Sequence, residues 1–135
     1  MDIFVDTSGI IALMNADDRF HPAAVALWHQ WIDEQPQLIT SNYVIVETVA
    51  LLQRRIGMES VRAFYQNILP VIRVEWIAEE THQAAVTALL TAGRRAISLV
   101  DCTSFELMQA LRLRTVFTFD HHFAGQGFLC LPQSG

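Results

Sequence analysis

A chain of 135 residues, 52% of them hydrophobic, is long enough for one ordinary domain and too apolar for intrinsic disorder. Its net charge of −5 argues against broad electrostatic capture of nucleic acid, and no apolar run approaches the roughly 20 residues of a bilayer span. The expectation is one domain over residues 1–135. Because the opening Met1-Asp2-Ile3-Phe4-Val5-Asp6 carries no basic leader, a secretory signal is not expected and a cytoplasmic location is.

In chain order, Ile3-Phe4-Val5 reads as a strand, followed by a helix from Ser8 to Asn15 and another from His21 to Asp33, with Pro22 in its first turn. Gln37 to Thr40 reads as a second strand. Ser41 or Asn42 then caps a helix that runs to Ile56, where Gly57 stops it. A further helix is expected from Glu59 to Leu69, ended by Pro70. Val71 to Ile77 is a third strand candidate, and Glu79 to Ala92 a helix with Gly93 past its end. Ser98 to Leu113 is helical, Thr115 to Phe119 a fourth strand and Phe128 to Leu131 a fifth. Strands that alternate with helices predict a three-layer α/β/α fold with a five-stranded, mostly parallel sheet and right-handed crossovers.

Cys102 and Cys130 each sit among apolar residues and lack a ligand-spaced partner, so both read as reduced, partly buried thiols. The chain has no Lys; all nine cations are Arg, several of them neighbours, as in Arg54-Arg55 and Arg94-Arg95. Arg suits bidentate phosphate contact, so a negative total with local Arg pairs is compatible with a nucleic-acid enzyme that concentrates acid at one site.

Ligands of parallel sheets bind at the carboxyl ends of the strands. Asp6 follows the first strand and Asp120 the fourth, so a parallel sheet brings both carboxylates to one edge. Each also suits a helix cap or turn. Glu47 has Tyr43, Val44, Ala50 and Leu51 as helical neighbours, which places it on a core-facing side where a carboxylate needs a cationic partner or a metal. Arg54 or Arg55 is the alternative partner. Asp101 lies on a mixed face beside Ile97, Ser98, Ser104 and Phe105, where a first-turn Asp also favours the helix dipole. Four clustered carboxylates repel one another, and a hard divalent cation such as Mg²⁺ or Mn²⁺ resolves the conflict. Zinc is less suited, and His121-His122 reads mainly as loop.

These segments resemble the motifs of PIN-domain nucleases. Phe4-Val5-Asp6-Thr7-Ser8 is similar to the family's first motif, Ser41 to Glu47 to the segment with its Glu, Ile97 to Cys102 to its third acidic motif, and Thr118-Phe119-Asp120-His121-His122-Phe123 to its closing T-x-D-x-x-F. They occur in the family's order over residues 4–123, and the size and layout look most like the VapC-type toxins of toxin–antitoxin pairs. Cys102 stands where the family usually has a small residue such as Ala. The resemblance implies Mg²⁺- or Mn²⁺-dependent cleavage of single-stranded RNA, a homodimer and a cognate antitoxin. It makes Asp6, Glu47, Asp101 and Asp120 the catalytic and metal-binding set.

Within that frame Asp6 and Asp101 are expected to bind metal directly, Asp120 to bind metal or orient a water on it, and Glu47 to position or deprotonate the nucleophile. Ser8 and Thr118 would support the carboxylates by hydrogen bonding. Arg94 and Arg95 are candidate RNA contacts. Trp28, Trp31 and Trp76 read as core or interface residues rather than base-stacking platforms. A phosphoryl-transfer receiver site fits poorly, since it needs a Lys, and a D-x-D phosphatase fits poorly because Ser8 stands two residues after Asp6. A non-catalytic PIN-like module that binds RNA or protein is the alternative from a different class.

Overall fold

The computed structural model describes residues 1–133; Ser134 and Gly135, the end of the expected domain span, lie outside them. Five strands, β1 (Asp2–Val5), β2 (Gln37–Ser41), β3 (Ile72–Glu75), β4 (Thr115–Phe117) and β5 (Leu129–Leu131), form one sheet in the order β3-β2-β1-β4-β5. Every neighbouring pair is parallel, so "mostly parallel" becomes all-parallel. Successive side chains of a strand point to opposite faces. Since Ile3, Phe4 and Val5 are all 0% exposed, both faces of the central strand are covered, as a parallel sheet requires.

The helices are α1 (Thr7–Met14), α2 (His21–Glu34), α3 (Asn42–Arg55), α4 (Met58–Ala63), α5 (Glu79–Ala92), α6 (Leu99–Ala110) and α7 (His122–Gly125). Their ends follow from local chemistry. Ser41 accepts from the Val44 amide at 3.2 Å to start α3, and Gly57, at φ 129°, breaks away after it in a conformation that disfavours a side chain. Gly93 ends α5 in the left-handed region at φ 61°.

Two boundaries differ from expectation. The helix expected over Glu59–Leu69 is α-helical only to Ala63, then widens into a π turn over Phe64–Ile68 and a 3₁₀ turn over Leu69–Val71. Pro70 carries no N–H and its ring would collide with the carbonyl four residues back, so a regular α-helix cannot run through it. β4 stops at Phe117, two residues early. The Thr118 hydroxyl accepts from the Asp120 amide at 3.0 Å, which folds the chain out of the ladder, and Phe119 turns to stack on Phe20 with ring centroids 4.5 Å apart.

Both cysteines are free thiols, Cys102 buried and Cys130 partly so. Trp31 is buried, and Trp28 packs against the core beside it. Trp76 is 76% exposed. No helix among the described residues is long and apolar enough to cross a membrane.

Candidate active site

The chain runs from β1 outward through β2 and β3, then returns to place β4 on the other side of β1. The order reverses between β1 and β4, and a crevice opens beyond their carboxyl ends. Asp6, Glu47, Asp101 and Asp120 all line this cleft, whose volume is about 310 Å³. They come from four places: the end of β1, the second turn of α3, the first turn of α6 and the turn after β4.

The cap and site readings of the aspartates prove compatible, because a carboxylate has two oxygens. Asp6 is the N-cap of α1. Its Oδ2 accepts from the Ser8 amide at 3.3 Å, the Ser8 hydroxyl at 2.8 Å and the Thr118 hydroxyl at 2.8 Å. Ser8 Oγ and Thr118 Oγ1 are also 2.9 Å apart. Each hydroxyl has one hydrogen, so when both donate to the ionised Asp6 neither remains for the other. Ser8 Oγ instead accepts from the Phe119 amide at 2.9 Å. Asp101 Oδ2 accepts from the Ser98 amide at 3.0 Å while Ser98 Oγ accepts from the Asp101 amide at 3.0 Å, a reciprocal cap that starts α6. Asp120 Oδ1 accepts from the His122 amide at 2.9 Å. Among the described residues Asp6 Oδ1, Asp101 Oδ1 and Asp120 Oδ2 accept no hydrogen bond and remain available to the cleft.

Glu47 departs from its expected setting. It is half-buried at the cleft wall rather than turned to the core; Val44, Ile45, Thr48 and Leu52 form the inward face of α3. Neither Arg54 nor Arg55 pairs with it. Arg55 instead shares the cleft-facing stripe Glu47–Leu51–Arg55, at spacing i, i+4, i+8. Arg94 and Arg95 lie in the exposed turn after α5, and neither lines the cleft.

The electrostatics follow from burial. Asp6 is raised from 3.8 to about 6, chiefly by burial and further by the charge of Asp101, with the Ser8 and Thr118 hydrogen bonds opposing. Burial also pushes Glu47 up, moderated by Thr7 and reinforced by Asp101 and Asp120. It pushes Asp101 up too, with the Ser98 amide opposing and Asp120 reinforcing. Among the described residues no arginine lies within ion-pair distance of any of the four.

This donor set fits a divalent cation. Hard oxygens face one cleft, and among the described residues no arginine comes within ion-pair distance to balance them. Ligand atoms of Asp101, Asp120 and His122 also lie within 4.8 Å of one another. His122 was not singled out in sequence as a site residue; the signal for it was its place two residues after Asp120, where an Asx turn folds it back. Arg55 was legible only through its helical spacing from Glu47. Phe20 and Phe119 add an apolar wall shared with an adjoining hollow, which Asp120 also borders.

An all-parallel sheet in this order with a carboxylate cluster at its switch point has the layout of the PIN domain. The PIN domain family pattern matches residues 3–129, and the chain belongs to that family.

Within the family, the chain is 38% identical over 128 residues to the 23S rRNA-specific endonuclease VapC20 of Mycobacterium tuberculosis, covering 94% of this chain and 95% of that protein. The crystal structure of that VapC20, described as a Sarcin-Ricin loop cleaving toxin, superposes with a TM-score of 0.84 at 37% identity, over 94% of this chain and 96% of the other. VapBC2 of Rickettsia felis, bound to a DNA fragment from its promoter, matches with a TM-score of 0.71 at 13% identity over 96% of this chain and 97% of the other. FitAcB of Neisseria gonorrhoeae matches at 0.69 and 18% over 96% of each chain. These last two likenesses concern the fold alone.

Proposed function

We propose that this PIN-domain protein is a divalent-metal-dependent endoribonuclease that hydrolyses phosphodiester bonds of single-stranded RNA. The observation that carries the reading is the convergence of Asp6, Glu47, Asp101 and Asp120 on one cleft, without arginine partners. The identity to a 23S rRNA-specific endonuclease over almost the whole chain supports it. As in that relative's class, the protein is the toxin of a type II toxin–antitoxin pair with a cognate antitoxin, acting in the cytoplasm.

Asp6, Asp101 and Asp120 would hold Mg²⁺ or Mn²⁺ through their carboxylate oxygens, with Glu47 beside them at the cleft wall. The bound cation supplies neutralisation of the scissile phosphate and acidifies water in the site. Glu47, made more basic by burial, accepts a proton from the attacking water at its carboxylate. Ser8 and Thr118 fix the rotamer of Asp6 and keep its second oxygen aimed at the cleft. Arg55, exposed and without an ion-pair partner among the described residues, contacts a neighbouring phosphate of the strand. A second copy of the chain would cover Trp76 and Val46. The bond from the Ile77 amide to Asn42 Oδ1 brings Trp76 near the start of α3, and Val46 lies one turn further on.

The test is cleavage of RNA by the purified protein. Activity should require Mg²⁺ or Mn²⁺, stop with a chelator, and fall by several orders of magnitude in Asp6→Asn and Asp101→Asn. Cleavage that survives both substitutions sinks the assignment; metal binding without cleavage of varied RNAs favours a binding module instead.

A further inference from the structure

The carboxylate chemistry leaves one buried nitrogen unexplained. The His122 side chain is 11% exposed, and its Nδ1 lies 2.8 Å from Asp120 Oδ1. That contact is an ion pair only when the ring is protonated; as a neutral imidazole, Nδ1 makes no hydrogen bond among the described residues. The backbone amide of His122 already donates to Asp120 Oδ1 at 2.9 Å. A buried polar atom left without a partner is costly, so its position calls for something that accepts a nitrogen lone pair.

The surroundings supply the rest of a coordination set. Donor atoms of His122, Asp120 and Asp101 lie within 4.8 Å of one another, the one such group of three among the described residues. An octahedral ion with ligands at roughly 2.1 Å has adjacent donors about 3.0 Å apart and opposite donors about 4.2 Å apart. The spacing of His122 Nδ1 and Asp120 Oδ1 is close to the first of these. His121, the neighbouring histidine, is exposed and does not belong to the group.

We propose that His122 Nδ1 is a metal ligand of this site together with Asp101 and Asp120, which makes it a mixed nitrogen–oxygen centre that selects Mn²⁺ over Mg²⁺. This rests on the metal-nuclease reading and extends it. Mg²⁺ takes oxygen ligands almost exclusively, whereas imidazole suits first-row transition ions. The short turn from Asp120 to His122 presents both donors from one rigid segment, since the His122 amide is itself tied to the Asp120 carboxylate.

The experiment titrates Mn²⁺ alone into the full chain, without RNA, and records the electron spin-echo modulation of the bound ion. The expected result is modulation from a directly coordinated ¹⁴N that is absent in His122→Ala and retained in His121→Ala. Mn²⁺ affinity should fall at least about tenfold in His122→Ala, while Mg²⁺ affinity changes by less than about threefold. His122→Gln carries the same expectation should the alanine variant fold poorly, and the ¹⁴N signal of the unsubstituted chain needs no variant. Mn²⁺ bound with oxygen ligands alone, or ¹⁴N modulation that persists without His122, overturns the proposal and leaves the nuclease reading intact. Failure to bind Mn²⁺ at all overturns both.

Discussion

Asp6 shows how one side chain carries structural and chemical demands at once. One oxygen caps the start of α1 and receives two hydroxyls; the other is left to the cleft. The cost is electrostatic. Burial raises its pKa from 3.8 to about 6, so the folded metal-free chain keeps this proton to a higher pH than the unfolded chain does. Between pH 4 and 6 the folded state therefore holds more protons than the unfolded one, and the stability of the metal-free chain falls as pH rises through that window. The interval corresponds to roughly 3 kcal/mol once the group is fully ionised. Metal-free Asp6→Asn should accordingly be more stable than the parent at pH 7.5, by up to about that amount, and nearly equal to it below pH 4. Urea unfolding at the two pH values checks this; equal midpoints at pH 7.5 would mean that Asp6 bears no burial penalty.

At the scale of the element, two segments position the site. α1 begins directly after β1 and crosses close over β4. A Cβ on Gly9 would lie 2.8 Å from both the Phe117 carbonyl oxygen and Phe117 Cδ2, which only glycine avoids. Gly9→Ala should push α1 from β4, cost about 1–3 kcal/mol and spread the Asp6–Thr118 contact. Thermal melts read the first effect and a drop in kcat the second. α3 sets the other wall through its stripe Glu47–Leu51–Arg55. Eight residues of helix rise about 12 Å, which places Arg55 well away from Glu47 along the strand path. Arg55→Ala should raise KM with little change in kcat. It should also reduce the slope of log affinity for single-stranded RNA against log salt by about 0.7, measured on the Asp101→Asn background. An unchanged slope would assign the phosphate contact elsewhere.

For the whole molecule, folding and metal binding are linked because most of the burial penalty falls on the same carboxylates. Asp6, Glu47 and Asp101 are all pushed up by burial first and by their acidic neighbours second. A cation that binds the folded chain alone stabilises it by mass action. Added Mn²⁺ should therefore raise Tm, and raise it more at pH 7.5 than at pH 5, where protons compete for the same oxygens. Calorimetry at the two pH values gives the comparison, with a larger shift at pH 5 as the outcome that contradicts it.

Much of this architecture was legible along the chain because its signals are local. The apolar run Ile3-Phe4-Val5 marks a strand buried on both faces, Ser41 and Ser98 announce helix starts, and Gly57 and Gly93 announce ends. Asp6 and Asp120 at strand ends already pointed to one sheet edge. The premature end of β4 at Phe117 was less legible, because it depends on a Thr118 hydroxyl engaged with both Asp6 and the Asp120 amide. The succession of elements and the acids they carry follow from local signals, since propensity, capping and hydrophobic period act over a few residues. How the four carboxylates of the cleft are held depends on how the elements pack. The strand order brings β4 beside β1 across more than 100 residues, which sets the Thr118 hydroxyl on Asp6. Glu47 was turned from the core to the cleft wall, Arg55 was left free of it, and His122 was drawn in beside Asp120. The Asp6–Thr118 contact joins residues far apart in sequence, which no local pattern encodes, whereas the turn that holds His122 is local and acquires its meaning only from the carboxylates packed around it.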